Sequence, residues 1–333
     1  MNLDLPTVWA LILAFAVFAY VVLDGFDLGI GILFPAYKPG PERDAAMNSV
    51  APGWDGNETW LVLGGGGLMA AFPLAYAVIL PAVYAPIIVM LLALIFRGVA
   101  FEFRWRDPNH RAFWDISFTA GSVVGAFSQG VTLGAILQGI KVADRAYAGG
   151  WWDWLSPFSL LTGVSLVVGY GLLGAAWLVW KSEGPMQARA RSLAGRLGAG
   201  TLVAIILVSA ATPFLEQQYF QRWFSYPNII LVAVVPLFVA IVAARFFITL
   251  RNGAERAPFF LALALFGLSF LGLGISIFPD IVPGAITIEA AAAPAKSQLF
   301  MLVGASILLP IILIYTAWSY WVFRGKVGHE GYH

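Results

Sequence analysis

The chain has 333 residues, of which 60% are hydrophobic and 11% are charged, and 19 Lys and Arg against 18 Asp and Glu give a net charge of +1. Soluble domains carry roughly a quarter charged residues, so this composition excludes an ordinary soluble domain and indicates a polytopic membrane protein. The balanced charge argues against nucleic-acid binding, and the absence of cysteine excludes disulfides, Fe–S clusters and thiolate-ligated metals.

Nine apolar stretches meet or approach the ~20 residues that a helix needs to cross ~30 Å of hydrocarbon. We therefore predict an all-α polytopic fold that forms a single integral-membrane domain over residues 1–333. The N-terminus carries Asp4 and no basic residue before the first stretch, which predicts a retained helix rather than a cleaved signal. The predicted spans are 8–34, 48–72, 76–103, 114–140, 157–181, 194–216, 227–250, 257–279 and 297–323.

Lys and Arg are distributed unevenly over the segments between the predicted spans. If the N-terminus lies outside, thirteen of these residues fall in cytoplasmic segments and four in outer segments. Because the cytoplasmic loops of membrane proteins are enriched in Lys and Arg, the pattern predicts a periplasmic N-terminus, a cytoplasmic C-terminus and an odd number of crossings.

The first three predicted spans contain ionisable residues, which cost a few kcal/mol each at membrane depth and so need a partner, water or a function. Acids three residues apart share a helix face, and Arg97 falls at a depth comparable with that of the acids in spans one and two. We expect one inner-leaflet layer of charges if these helices are neighbours. Its candidate members are Asp24, Asp27, Asp55, Glu58, Glu102 and Arg97.

This layer has two interpretations, and the residues alone leave both open. Arg97 could neutralise Asp27 or Asp55 and merely hold three helices in register. Five acids exceed one intramembrane cation, however, and carboxylates in that situation could pass protons through water from the cytoplasm.

Two aromatic residues flank the acidic segment of the second span. Trp54 and Trp60 could line a quinone-like ring or simply fill volume between helices, and we favour filling. Glycines follow in Gly64 to Gly67 and recur in the fourth span at Gly121, Gly125, Gly130 and Gly134. Small residues at such spacing predict close packing of helices, with the approach of a planar ligand as the alternative for the first run.

The three histidines all lie outside the predicted spans. His110 belongs to a charged loop, and His329 and His333 belong to the C-terminal tail. No imidazole is therefore available within the bilayer to ligate a haem or a metal. If the protein belongs to a redox complex, its irons are held by another chain.

Three segments carry a resemblance to a known family. They are LDGFDLGIGIL at 23–33, MNSVAPGWDGNETWLVLGGGGLMAAFP at 47–73 and FRGVAFEFR at 96–104. With these motifs in this order, the chain resembles subunit II of the cytochrome bd-type quinol oxidases, and in particular the cyanide-insensitive branch. The resemblance implies a multi-pass protein of the bacterial inner (cytoplasmic) membrane, with two four-helix bundles and one peripheral helix.

The resemblance also implies a division of labour between subunits. Subunit I would hold haems b558, b595 and d and oxidise quinol from the ubiquinone or menaquinone pool, reducing O₂ to water. Subunit II would bind no haem, would not be catalytic alone, and would stabilise subunit I. Other expected partners are lipids and a small single-helix accessory subunit. Some relatives also hold a structural quinone in subunit II, which the sequence leaves open here.

Individual positions follow from the same resemblance. Asp27 and Asp55 correspond to residues implicated in a cytoplasmic proton route, and Glu102 occupies an acidic position that is aspartate in some relatives. The alternative hypothesis is a stand-alone proton-coupled secondary transporter or channel that uses the same acids.

Overall fold

The computed structural model describes residues 4–327 and consists almost entirely of helices. The helices are α1 (Leu5–Leu33), α2 (Pro41–Asn48), α3 (Trp54–Ala71), α4 (Pro73–Arg106), α5 (Arg111–Leu137), α6 (Pro157–Lys181), α7 (Gly184–Ala211), α8 (Gln217–Phe224), α9 (Asn228–Val232), α10 (Val234–Arg251), α11 (Ala257–Ile277), α12 (Ile288–Ala291) and α13 (Ala295–Val322). Two antiparallel hairpins pair β1 (Val142–Ala143) with β2 (Ala146–Tyr147), and β3 (Asp280–Val282) with β4 (Ile286–Thr287). The predicted all-α class is confirmed.

Within residues 4–327, eight segments are long and apolar enough to cross a membrane, by length and composition alone. A further long helix, α3, has 18 residues and is not among the eight, because it begins with the polar run Trp-Asp-Gly-Asn-Glu. The count of nine crossings and the orientation of the chain therefore stay predictions. The second predicted span, 48–72, corresponds to α3 and starts later than predicted. Residues 49–53 form turns, where Pro52 has no N–H to donate to a helix.

Local sequence accounts for where the long helices begin. The Asp4 side chain accepts a hydrogen bond from the Thr7 backbone N–H and so caps α1. At α6, Ser156 and Ser159 form a reciprocal capping box ahead of the apolar run. These side chains satisfy backbone donors that the first turn of a helix leaves without a partner.

The long helices form two rings of four. In the first ring, α1 packs on α3, α3 on α4, α4 on α5 and α5 on α1; in the second, α6, α7, α10 and α11 close in the same way. Helices α1 and α5 both pack against α6 and thereby join the rings. Helix α13 lies at the periphery against α1 and α3, and Gln298 is its one buried residue. This arrangement is the predicted pair of four-helix bundles with one peripheral helix.

Glycines allow the closest helix contacts. A Cβ atom added to Gly121 would lie 2.6 Å from the Ala93 carbonyl oxygen, and one added to Gly130 would lie 2.4 Å from the Thr162 carbonyl oxygen. Any larger residue would push α4 and α6 away from α5. The close packing predicted for the glycines of the fourth span is therefore present at these positions.

The glycine run of α3 is divided between two faces. Gly67 packs against Leu13 of α1, whereas a Cβ added to Gly65 or Gly66 would meet nothing within 4 Å. Only part of this run thus serves the helix packing predicted for it, and the rest lies on an exposed face of the chain.

The two ends of the molecule differ in composition. One end, which we call the basic end, contains segments 34–53, 107–110, 182–183, 252–256 and 323–327. Lys326 pairs with Glu255 across two of these segments, and Glu42 and Asp44 pair with Arg189 and Arg104 of the adjoining helices. The opposite end carries both hairpins, α8 and α12. By the distribution of Lys and Arg, the basic end is the one predicted to face the cytoplasm.

Candidate functional site

A buried arginine links the three helices of the predicted charged layer. Arg97 of α4 is fully buried, and its Nη1 atom lies 2.9 Å from Asp24 Oδ1 of α1 and 2.6 Å from Glu58 Oε1 of α3. The helices are therefore neighbours, as the layer requires. The partners differ from the expected Asp27 or Asp55.

The exposed position of Asp55 explains part of that difference. Asp55 lies in the first turn of α3, about 4.5 Å nearer the helix end than Glu58 by the ~1.5 Å rise per residue, and its side chain is exposed. Glu58 lies one turn deeper, at the level of Arg97, and its side chain is 27% exposed.

Asp27 is held by a different set of contacts. It is fully buried, and its Oδ2 atom accepts a hydrogen bond from Asn57 Nδ2 at 2.7 Å. The Asn57 Oδ1 atom in turn accepts from the Tyr320 hydroxyl of α13 at 2.9 Å. Asp27 is thus positioned by an amide and a phenol rather than by a cation. Sequence reasoning missed both residues, although Asn57 stands inside the WDGNE motif.

A second chain of hydrogen bonds leads from α6 and α5 toward Asp24 on α1. The Tyr170 hydroxyl donates to Gln129 Oε1 at 2.8 Å, and Gln129 Nε2 donates to the Tyr20 hydroxyl at 2.7 Å. Tyr20 lies one helical turn from Asp24 on α1. The cluster of charges is therefore surrounded by polar side chains from α1, α5 and α6.

Several buried polar atoms of the cluster make no hydrogen bond to the described part of the chain, and Asp27 Oδ1, Arg97 Nε and Arg97 Nη2 are among them. Buried polar groups in proteins almost always have a protein or water partner. Ordered water is the usual partner of buried polar atoms that have none in the chain.

The two remaining candidate acids lie outside this cluster. Asp55 is exposed, and the Glu102 side chain is 60% exposed and lies 3.5 Å from Arg106, four residues further along α4. The predicted layer therefore separates into three acids around Arg97 and two acids on the surface of the chain. Asp55 belongs to an exposed stripe of α3 that also contains Thr59, Val62 and Gly66.

The two tryptophans pack against neighbouring side chains. Trp54 stacks on Phe101 with ring centroids 4.8 Å apart and planes inclined by 2°, and the Arg97 guanidinium lies 6.0 Å from the Trp54 ring. Trp60 is 2% exposed and meets Phe15 edge to face at 5.7 Å. These contacts agree with the preferred interpretation that both rings fill volume, and the quinone interpretation stays untested.

A second network of charges lies at the basic end and was not predicted. Arg104 Nε lies 2.6 Å from Asp115 Oδ1, and Arg104 Nη1 lies 2.7 Å from Asp44 Oδ1. Arg43 binds the other oxygen of Asp115 at 2.6 Å, and Arg111 lies 3.9 Å from Asp44. The network joins α2, α4 and α5. Sequence reasoning missed it because charged residues near helix ends are ordinary and carry no distinguishing signal.

Two acids of the basic end have lowered pKa values. Burial raises the pKa of Glu42, but the Lys38 backbone N–H, at 2.8 Å, and the Arg189 guanidinium together hold that pKa below its usual range. The His110 ring, which lies 2.9 Å from Asp107, lowers the pKa of that carboxyl. His110 is exposed in its loop as predicted, whereas His329 and His333 lie outside the described residues.

Comparison with known proteins gives a consistent result along the whole chain. The family model for cytochrome bd terminal oxidase subunit II matches residues 5–323. The chain is 29% identical to cytochrome bd-I ubiquinol oxidase subunit 2 of Escherichia coli strain K12, over 97% of this chain and 95% of that protein. It is also 29% identical to cytochrome bd ubiquinol oxidase subunit 2 of Bacillus subtilis strain 168, over 98% of each chain.

A solved structure has the same fold. A chain of the bd oxidase from Geobacillus thermodenitrificans superimposes with a TM-score of 0.73 at 18% identity, covering 96% of this chain and 99% of that chain. At this level of identity the likeness concerns the fold, in which the two rings of helices and the peripheral α13 are the main features.

Proposed function

The chain belongs to the cytochrome bd terminal oxidase subunit II family, and we propose that it carries protons from the cytoplasm through the Arg97 cluster while stabilising the subunit that reduces O₂. The partner, subunit I, would hold haems b558, b595 and d and oxidise ubiquinol or menaquinol. The comparisons give no support to the alternative of a stand-alone transporter, because the matched relatives are oxidase subunits.

The charge balance of the Arg97 cluster is the observation that carries this proposal. Asp24, Asp27 and Glu58 surround one buried cation. Uncompensated charge is costly at membrane depth, so a neutral cluster of three carboxyl groups and one guanidinium holds two protons. Those protons are the ones available for transfer, and the unpaired Asp27 Oδ1 and Arg97 Nη2 atoms offer places for water to accept or deliver them.

The exposed stripe of α3 supports a binding site for subunit I on this helix. Polar side chains that face lipid are expensive, yet Asp55 and Thr59 lie on the exposed surface of this helix beside Val62 and Gly66. A protein partner against this stripe would satisfy both polar residues and use the glycine for close approach. Asp55 and Glu102 would then stand at the subunit boundary, where protons pass toward the haems.

The distribution of basic residues supports the direction of transfer. With the basic end in the cytoplasm of a bacterial cell, the Arg97 cluster lies in the inner leaflet, and Asp27 lies between Arg97 and the cytoplasm. The whole chain would act as one integral-membrane domain in this role, with a quinone or accessory subunit as further components of the complex.

Replacement of Asp27 by Asn tests the proposal in the intact oxidase. The variant keeps the size of the side chain and a hydrogen-bonding group but cannot carry the proton. We expect quinol-dependent O₂ consumption and proton uptake to fall several-fold while the haem content of the purified complex stays normal. Wild-type turnover with wild-type proton uptake in Asp27→Asn would refute the proton-carrying role of the cluster.

A further inference from the structure

A small cavity lies near the basic end, between the turns at residues 49–53 that precede α3 and the helices α1, α6 and α13. Its volume is about 20 Å³, which exceeds the roughly 10–15 Å³ that one water molecule requires. Its lining includes Asp27, Ser49, Lys181, Ser319 and Tyr320. The cavity is therefore large enough for about one water molecule, and it has polar groups beside an apolar part that includes Phe26, Val50 and Trp177.

Asp27 lines this cavity and has one carboxyl oxygen without a hydrogen-bond partner. The Oδ2 atom is engaged by Asn57, whereas Oδ1 is buried and has no hydrogen-bond partner in the described chain. Tyr320, which donates to Asn57, also lines the cavity. The same contacts that fix the carboxyl group thus leave one oxygen to interact with a molecule in the cavity.

The C-terminal segment 323–327 covers the outer side of the cavity. Lys181 Nζ donates to the carbonyl oxygens of Phe323 and Gly325, and the Val327 backbone N–H donates to the Lys181 carbonyl oxygen at 2.9 Å. Lys326 Nζ donates to the Ser182 carbonyl oxygen at 3.0 Å and pairs with Glu255. Lys181 and backbone polar groups therefore lie on this side of the cavity, beside Phe323, which also lines it.

We propose that this cavity is a water site through which protons from the basic end reach Asp27, separate from the exposed face of α3 that carries Asp55. The inference rests on the proposed function, since it concerns how the Arg97 cluster is supplied. A water in the cavity would bridge Asp27 Oδ1 to the hydroxyl groups of Ser319 and Ser49, giving the two or more polar partners that a buried water needs. Protons would then enter within this subunit, without crossing its contact with another chain.

Filling the cavity tests the proposal in the intact oxidase. Ser319→Leu places a larger apolar side chain against the cavity and displaces the water, so we expect O₂ reduction and proton uptake to fall several-fold at normal haem content. Ser319→Ala, which removes the hydroxyl without filling the space, should have a smaller effect. Ser306→Leu makes the same change at an exposed position of the same helix and should leave turnover unchanged.

A double variant tests the role of the cavity separately from the proposed function of the Arg97 cluster. If the cavity supplies Asp27, adding Ser319→Leu to Asp27→Asn should slow turnover no further. Wild-type turnover in Ser319→Leu, or effects that multiply in the double variant, would overturn the proposal that the cavity supplies Asp27. If Asp27→Asn is slow in the same experiment, the proposed function of the Arg97 cluster still stands. An Asp27→Asn variant with normal turnover would overturn both. If Ser319→Leu lowers the haem content, the smaller Ser319→Val takes its place in the same comparison.

Discussion

Helix α4 buries two arginines about 10 Å apart along its axis, and their surroundings differ in charge balance. Arg97 and Arg104 are 0% and 1% exposed, and each binds two carboxylates. Around Arg104, the acids Asp44 and Asp115 also meet two further cations, Arg43 and Arg111.

Around Arg97 the balance is reversed, because a third acid, Asp27, lies close by without a cation of its own. A network with enough cations for its acids fixes the fold and has no need of protons. An excess of buried acid must be neutralised by protons, which can then be exchanged. The two arginines of this helix thus differ in charge balance, which supports a structural role for the network at the basic end and the proposed proton-holding role for the Arg97 cluster.

Replacing Arg97 should have the largest effect of the changes that test this difference. Arg97→Ala leaves Asp24 and Glu58 without a buried cation, and breaking such a pair costs about 3–5 kcal/mol. We expect the oxidase to assemble poorly, measured as haem content of the purified complex and as the amount of this chain in the membrane. Normal haem content would show that the arginine does not hold α1, α3 and α4 together.

A compensated variant sharpens this prediction. Neutralising both acids in Arg97→Ala with Asp24→Asn and Glu58→Gln removes the uncompensated charge, so assembly should recover relative to Arg97→Ala alone. Proton uptake should stay low, because two of the three carboxyl groups of the cluster are lost. Failure to recover would indicate that the arginine acts through its packing against Trp54 and Phe101.

Replacing Arg104 should have a smaller effect of a different kind. In Arg104→Ala, Asp115 keeps Arg43 and Asp44 keeps Arg111 as partners. Neither carboxylate is left without a cation, so the loss should stay below the roughly 3–5 kcal/mol of a broken buried pair. We expect a lower thermal unfolding temperature and near-normal turnover per haem. A loss of turnover per haem at normal stability would contradict the structural role of this network.

The two arginine networks also differ in how far they could be predicted from the sequence. The long apolar segments predicted the class of fold. Charged residues stand out within such segments, so the charged layer on the first three spans and the importance of Arg97 could also be predicted. The pairing did not, because which side of α3 faces α4 depends on packing that no spacing rule specifies, and Glu58 rather than Asp55 reaches Arg97. Tyr320 lies 263 residues from Asn57. Nothing in the sequence around it indicates that this tyrosine of α13, rather than another polar residue, would contact Asn57.

Removing the Tyr320 hydroxyl should have a modest effect on the membrane cluster. Tyr320→Phe deletes the donor to Asn57 Oδ1 and leaves that amide free to turn, at a cost of about 0.5–1.5 kcal/mol for a neutral hydrogen bond. We expect turnover to fall by less than in Asp27→Asn, with normal haem content. Tyr315→Phe, an exposed tyrosine of the same helix, serves as the control and should behave as wild type. Equal turnover in Tyr320→Phe and Tyr315→Phe would show that Asp27 does not depend on α13.

The smallest effect should come from titration of the basic end. Because the pKa of Glu42 is lower in the folded protein than its ordinary value, its pairing with Arg189 stabilises the fold above the unfolded pKa of about 4.3, and this contribution is lost as the pH falls through the lower, folded value. The pair is partly exposed, so the contribution should stay within about 0–1 kcal/mol. Thermal unfolding of the wild type and Glu42→Gln, measured between neutral and acidic pH, should converge as the pH falls. Curves that stay parallel over that range would show that the basic end gains nothing from this ion pair.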